Sequence, residues 1–168
     1  MIFPLTLFAL SMCITPGPNN VMLTASGANF GFKRTIPHIL GIEAGLIVMF
    51  ILSGTGLGVL FTVFPPVQSI LKYGSICYLF YLSHRIATAK RNSCNNEKET
   101  RPLKLYQAAA FQVVNPKVMV MATTSISSFA IAGNDYTGSV CLIITVFGLI
   151  CIPSISIWAG FGTLLGKV

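Results

Sequence analysis

Charge is scarce in this chain. Only 9% of its 168 residues are Asp, Glu, Lys or Arg, against roughly a quarter in an ordinary soluble domain. Met1 to Phe32 carry no acidic or basic side chain, and neither do Ala44 to Leu71. A water-soluble protein spreads charge over its whole surface and hides its apolar residues. With 54% hydrophobic residues and a mean hydropathy of +0.77, no soluble core of this size is large enough. Lipid is the solvent for the uncharged stretches.

Paired cysteines are lacking too. Cys13, Cys77, Cys94, Cys141 and Cys151 stand singly, with no Cys-x-x-Cys pair to form a redox or metal site. Four lie in apolar runs and read as small core hydrophobes. Cys94 sits in a basic loop and is expected as a free thiol in a reducing compartment. Without a pairing signal, a membrane thiol-redox carrier is not expected. Two histidines and four acidic residues offer no His/Asp/Ser constellation and no metal-ligand cluster, so neither an enzyme nor a metal or other cofactor is expected. Basic residues ahead of the first apolar run are also missing, the first being Lys33. That run therefore reads as a retained span and not as a secretory leader.

What is present is a series of apolar runs. A span needs about 20 mostly apolar residues, and five stretches qualify: Ile2 to Thr24, His38 to Phe61, Val67 to Leu82, Tyr106 to Ala132 and Ser139 to Leu165. Between them lie a small loop with Asn29, Gly31, Lys33, Arg34 and Pro37, a Phe64-Pro65-Pro66 turn, a basic loop over about 86–105, and a Gly133-Asn134-Asp135 turn. Neither the proline turn nor the glycine turn is long enough to separate domains. The expectation is one all-α membrane domain over residues 1–168 with five transmembrane helices.

The net charge of +7 would suggest nucleic acid in a soluble chain, but its placement excludes that partner. Arg85, Lys90, Arg91, Lys98, Arg101 and Lys104 crowd into one connection, and Lys33 and Arg34 into another. The second and fourth connections hold none. This alternation is the positive-inside pattern, which puts the N-terminus outside and the loop at about 86–105 in the cytoplasm.

Two of the spans are interrupted. Thr15-Pro16-Gly17-Pro18-Asn19-Asn20 breaks the first, and Gln112 followed by Asn115-Pro116-Lys117 breaks the fourth. A proline inside a helix removes a backbone donor and clashes with the carbonyl one turn earlier. Polar backbone freed at membrane depth survives only against neighbouring helices or a watery cavity. The breaks occupy corresponding places, at the head of residues 1 to about 86 and of residues from about 106 to 168. If the unit is three helices, the second unit runs upside down relative to the first, the arrangement of secondary transporters with a midplane site. Kinks packed against neighbours are the simpler alternative.

Lys117 lies roughly 15 to 18 Å into the fourth span, where a bare ammonium costs at least roughly 2.5 to 3.5 kcal/mol. It is expected to bind a substrate carboxylate, to exchange a proton, or to cap carbonyls freed by a break. Glu43, the sole carboxylate within an apolar run, is expected either as a proton or ammonium ligand or as an interfacial group paired with Lys33 or Arg34. His38 is expected at the interface. Gly41 and Gly45, with Gly54, Gly56 and Gly58, suit close helix packing, and a small-residue face is compatible with a homodimer. Tyr73, Tyr78 and Tyr81 read as interfacial anchors, and Pro153 as a kink.

Pro16-Gly17-Pro18-Asn19, Gly31 with its basic pair, Gly41 and Gly45, Lys72 through Gly74, Tyr78, Leu82 and Asn115-Pro116-Lys117 run across nearly the whole chain. In this order they resemble the lysine exporter/homoserine-threonine exporter superfamily of bacterial amino-acid efflux proteins. Thr15 to Asn20 and Phe111 to Asn115 are most similar to its cysteine/O-acetylserine branch. The resemblance implies six helices in two inverted three-helix repeats, inner-membrane export by proton antiport, and small amino acids or derivatives as cargo. It carries Pro16, Gly17, Pro18 and Asn19 from one half, and Asn115, Pro116 and Lys117 from the other, into the translocation site, beside Asn20 and Gln112. Five spans in place of six leave the second repeat without its last helix. That difference raises an alternative, a truncated non-transporting protein or assembly partner. Glu43 also departs from the pattern, which has a small or uncharged residue between the two glycines.

Overall fold

A computed structural model describes residues 2–56, 73, 77, 80 and 102–167. Six helices make up these residues: α1 (Ile2–Ile14), α2 (Pro18–Phe30), α3 (Phe32–Gly54), α4 (Leu105–Val114), α5 (Pro116–Phe129) and α6 (Tyr136–Leu165). No strand occurs among the described residues. The third expected span, the Phe64-Pro65-Pro66 turn and nearly all of the basic loop lie outside them. Tyr73, Cys77 and Phe80 are helical and exposed.

Local chemistry sets the helix ends. Pro18 opens α2 at the position where a missing N–H costs nothing. Gly31, at φ 79, closes that helix, its N–H donating to Gly27 O at 2.9 Å. The same glycine reverses the chain at once into α3. Lys33, Arg34 and Pro37, expected in a loop, are therefore helical. Thr35 secures the corner, donating to Gly31 O at 2.9 Å and meeting the Ser26 hydroxyl at 2.9 Å.

Among the described residues two helices are long and apolar enough to cross a bilayer, Phe32–Gly54 and Tyr136–Leu165. At 1.5 Å per residue they reach about 35 and 45 Å, against a hydrocarbon core of about 30 Å. The first and fourth expected spans are each two short helices meeting at a break. Pro153 lies inside α6, which continues through it.

Helix α6 organises the bundle. Phe8 meets Phe147 (ring centroids 6.3 Å apart), Trp158 Nε1 donates to Ile14 O at 3.2 Å, and Gly162 and Gly166 lie against the backbone of Thr24 and Ala28. Residue numbers rise together along this contact, so α1 and α2 run parallel to α6. Helix α3 runs the opposite way, because Tyr136 Oη donates to Gly54 O at 2.7 Å while a Cβ on Gly148 would lie 3.0 Å from Oε1 of Glu43. Gly41 faces Leu105 and Ala108, and Gly45 faces Ala109 and Gln112, so α3 and α4 are parallel. Lipid tails are as apolar as leucine and give helices no hydrophobic reason to associate, so backbone approach over glycine supplies contact energy instead.

The buried centre is made by Leu5, Ala9, Leu23, Leu46, Phe50, Ile143 and Phe147, with Phe50 and Phe147 rings 4.6 Å apart. Phe3, Leu7, Leu149, Ile157 and Leu164 point outward. Apolar side chains thus cover the outside as well as the centre, as expected of a chain solvated by lipid.

Candidate functional site

At the first break helical donors are lost, and side chains serve the carbonyls of Cys13, Ile14 and Thr15 instead. Asn20, buried, donates from Nδ2 to Cys13 O at 3.1 Å and to Thr15 O at 2.8 Å. Ile14 O, which Pro18 cannot reach because it has no N–H, accepts from Trp158. Thr15 O also accepts from the Lys117 ammonium, at 2.5 Å. Gly17 is extended, at φ −166 and ψ 178, a conformation open to any residue. Its small size has a different reason: a Cβ there would stand 2.8 Å from Lys117 Cδ and 3.2 Å from Nζ.

The second break is tighter. Asn115 ends α4 and caps α5, its Oδ1 accepting from Lys117 N at 3.1 Å, and Pro116 follows in the first turn. Gln112, fully buried, donates to Ala108 O at 2.8 Å and accepts from Asn115 Nδ2 at 3.4 Å.

The two breaks face each other. Asn19 Nδ2 donates to Gln112 Oε1 at 2.8 Å, and Gln112 Nε2 returns a bond to Asn19 Oδ1 at 3.2 Å, a reciprocal amide pair between residues 93 apart. Lys117, just past the second break, reaches Thr15, just before the first. The broken spans thus cross at their interruptions and run antiparallel, Thr15 and Asn19 pairing with Lys117 and Gln112 respectively.

A cavity of ≈ 20 Å³ lies at this crossing, about the room one water needs. Asn19, Asn20, Asn115, Lys117 and Gly17 form its polar wall, and Met12, Cys13, Leu46, Val118, Met121, Cys151 and Ile155 the softer one. Glu43 lies behind this softer wall, 7% exposed, with no hydrogen-bond partner for Oε2 among the described residues. Its Oε1 lies 3.0 Å from where a Cβ on Gly148 would stand, about one turn of α6 before Cys151.

Of the residues expected at a site, Gly17, Asn19, Asn20, Asn115 and Lys117 line the cavity, and Gln112 stands directly behind Asn19. Pro16 is exposed, and Pro18 and Pro116 act through the helix starts they impose. The capping role weighed for Lys117 is visible, on a carbonyl of the opposite half. Glu43 faces α6 rather than Lys33 or Arg34, which are exposed. His38, expected at the interface, is 1% exposed, and neither ring nitrogen has a partner among the described residues. It shares the buried face of α3 with Thr35, Ile39 and Ile42. Cys77 and Cys141 are exposed rather than in the core. Sequence reasoning missed Trp158, although a lone tryptophan within an apolar run needs a partner for its N–H. It also missed that Cys13 and Cys151 face one wall of the cavity, for which no local signal exists. Among the described residues no group of three His, Cys, Asp or Glu side chains could hold a metal.

Comparison with known proteins places these residues in context. The pattern of the LysE type translocator family matches residues 10–167. The cysteine/O-acetylserine efflux protein of Escherichia coli O1:K1 is 28% identical over 125 residues, covering 74% of this chain and 63% of that protein. Its counterpart in Escherichia coli K12 is 27% identical over the same 125 residues and the same shares. The match thus spans under two thirds of the length of these curated relatives. No solved structure matches.

Proposed function

The chain belongs to the LysE type translocator family, and from that premise we propose that it is an inner-membrane secondary transporter that exports small amino acids or their derivatives. The observation that carries this reading is the meeting of two proline-broken spans at one polar cavity. Uncapped amides, carboxamides and an ammonium converge there, with acyl-chain-like walls around them. A zwitterion needs such a mixture: donors for its carboxylate, and acceptors for its ammonium group.

Lys117 and the asparagines bind the cargo carboxylate. In the described state Lys117 is engaged with Thr15 O and the cavity has room for about one water. That is a closed state, and cargo enters when the two broken spans part and release Lys117. Glu43, buried beside the soft wall with one oxygen unpartnered, takes the cargo ammonium or the counter-transported proton. Coupling to protons by antiport, and cysteine or O-acetylserine as cargo, follow the named relatives.

The helix directions support an inverted relation of the halves. The first span parallels α6 and opposes the fourth, as five alternating crossings with the N-terminus outside and the loop at about 86–105 in the cytoplasm require. Tracer efflux from proteoliposomes tests the site. Asn19→Ala and Asn115→Ala are each expected to abolish efflux, and Glu43→Gln to remove its dependence on an imposed pH gradient. Unchanged efflux in both asparagine variants rejects the site.

A further inference from the structure

Two thiols remain that the transport chemistry does not use. Cys13 is in α1 and Cys151 in α6, 5% and 3% exposed, and both line the cavity. One from each helix, they face the same wall of that cavity. Met12 and Met121 add two thioethers to the same wall, so the cavity is polar on one side and rich in sulfur on the other. Lys117, in the polar wall, offers a counter-charge to a thiolate formed there. Glu43, whose Oε1 lies against Gly148 about one turn before Cys151, offers a carboxylate to receive its proton.

We propose that Cys13 and Cys151 form an oxidisable dithiol in the wall of the cavity, a site for small disulfides, and that its oxidised form staples α1 to α6 and closes the path. A low-molecular-weight disulfide RS–SR reaches the cavity when it opens. The Cys13 thiolate attacks one sulfur, forming a mixed disulfide and expelling RS⁻. The Cys151 sulfur, its proton passing to Glu43, then attacks Sγ of Cys13 and expels the second RS⁻. The two protons given up by the protein leave with the two RSH molecules. The protein is oxidised by two electrons and the small disulfide reduced by two. Parting of the broken spans moves α1 relative to its neighbours, so a covalent bond from α1 to α6 at the cavity prevents opening. This last consequence rests on the exporter reading, whereas the exchange itself does not.

The test uses the full chain in proteoliposomes with Cys77, Cys94 and Cys141 replaced by serine. It is treated with 2-hydroxyethyl disulfide, denatured, alkylated with N-ethylmaleimide and weighed intact. The expected product has lost two hydrogens and accepts no maleimide, and dithiothreitol restores both sites. Adding Cys13→Ser or Cys151→Ser should leave the remaining cysteine either as a mixed disulfide or alkylated. A treated protein that still takes up two maleimides, or carries a separate adduct on each cysteine, overturns the proposal. Efflux is measured on the same samples. It should be lost on oxidation and return on reduction, and Cys13→Ser, whatever its basal rate, should no longer respond to the oxidant. Disulfide formation with no efflux from the reduced protein would refute the exporter reading and leave the dithiol standing. Efflux without disulfide formation would do the reverse.

Discussion

The reciprocal amide pair between Asn19 and Gln112 makes an unequal prediction. Replacing Asn19 with leucine removes two bonds, yet Gln112 keeps Ala108 O as an acceptor for Nε2 and Asn115 Nδ2 as a donor to Oε1. No buried atom is orphaned, so the cost should be about 1 kcal/mol. Replacing Gln112 with methionine keeps Cβ and Cγ against Gly45, so packing changes little. It strips Asn19 of both its partners and Asn115 Nδ2 of its acceptor, a cost of about 2 kcal/mol. Once Gln112 is gone, Asn19→Leu removes nothing more, and the double variant should resemble Gln112→Met. The coupling should be about 1 kcal/mol, between the ~0.6 average and ~1.7 upper values for polar pairs in membranes. Unfolding by sodium dodecyl sulfate in mixed micelles measures all four proteins, followed by the fluorescence of Trp158, the chain's single tryptophan. Costs that add to within about 0.3 kcal/mol, or a larger loss from Asn19→Leu than from Gln112→Met, would refute the pairing of the two breaks.

Gly17→Ala leaves its extended backbone unstrained but pushes on the Lys117 side chain; micellar stability should fall by no more than about 1 kcal/mol, while efflux falls roughly tenfold or more. Gly162→Ala drives a Cβ into the backbone of Thr24 and should cost about 1 to 3 kcal/mol, read by thermal unfolding in detergent. Gly160→Ala, two residues away and facing open space, should cost nothing in the same assay. Trp158→Phe orphans Ile14 O and should cost about 1 kcal/mol, with calorimetry as its measure since the fluorophore is lost.

The features legible in the sequence were those whose physics is local. Pro16, Pro18 and Pro116 cannot donate wherever they are placed, so both breaks were visible, and the asparagines beside them pointed to groups in need of partners. The Gly41–Gly45 spacing likewise indicated a close helix contact, and α4 occupies it. Helix limits were less legible. Gly31 ends one helix and begins the next in a single residue, which drew Lys33, Arg34 and Pro37 into α3 where composition suggested a loop.

Least legible was anything that depends on the rotation of one helix about its axis against a distant one. Each residue turns an α-helix by about 100°, so a one-residue difference in register would carry Cys151 from the cavity to lipid, where Ile152 and Pro153 point. Cys141, in the same helix, is exposed, while Cys151 is buried; both stand among apolar neighbours in the sequence. The register is set elsewhere, by Gly162 and Gly166 on the backbone of α2 and by Trp158 on Ile14 O. The contacts that close the first break therefore also bring the two thiols together. It follows that Gly162→Ala should reduce the yield of the Cys13–Cys151 disulfide as well as stability, whereas Gly160→Ala should change neither. Equal disulfide yields in the two variants would show that the thiols meet independently of the glycine contacts.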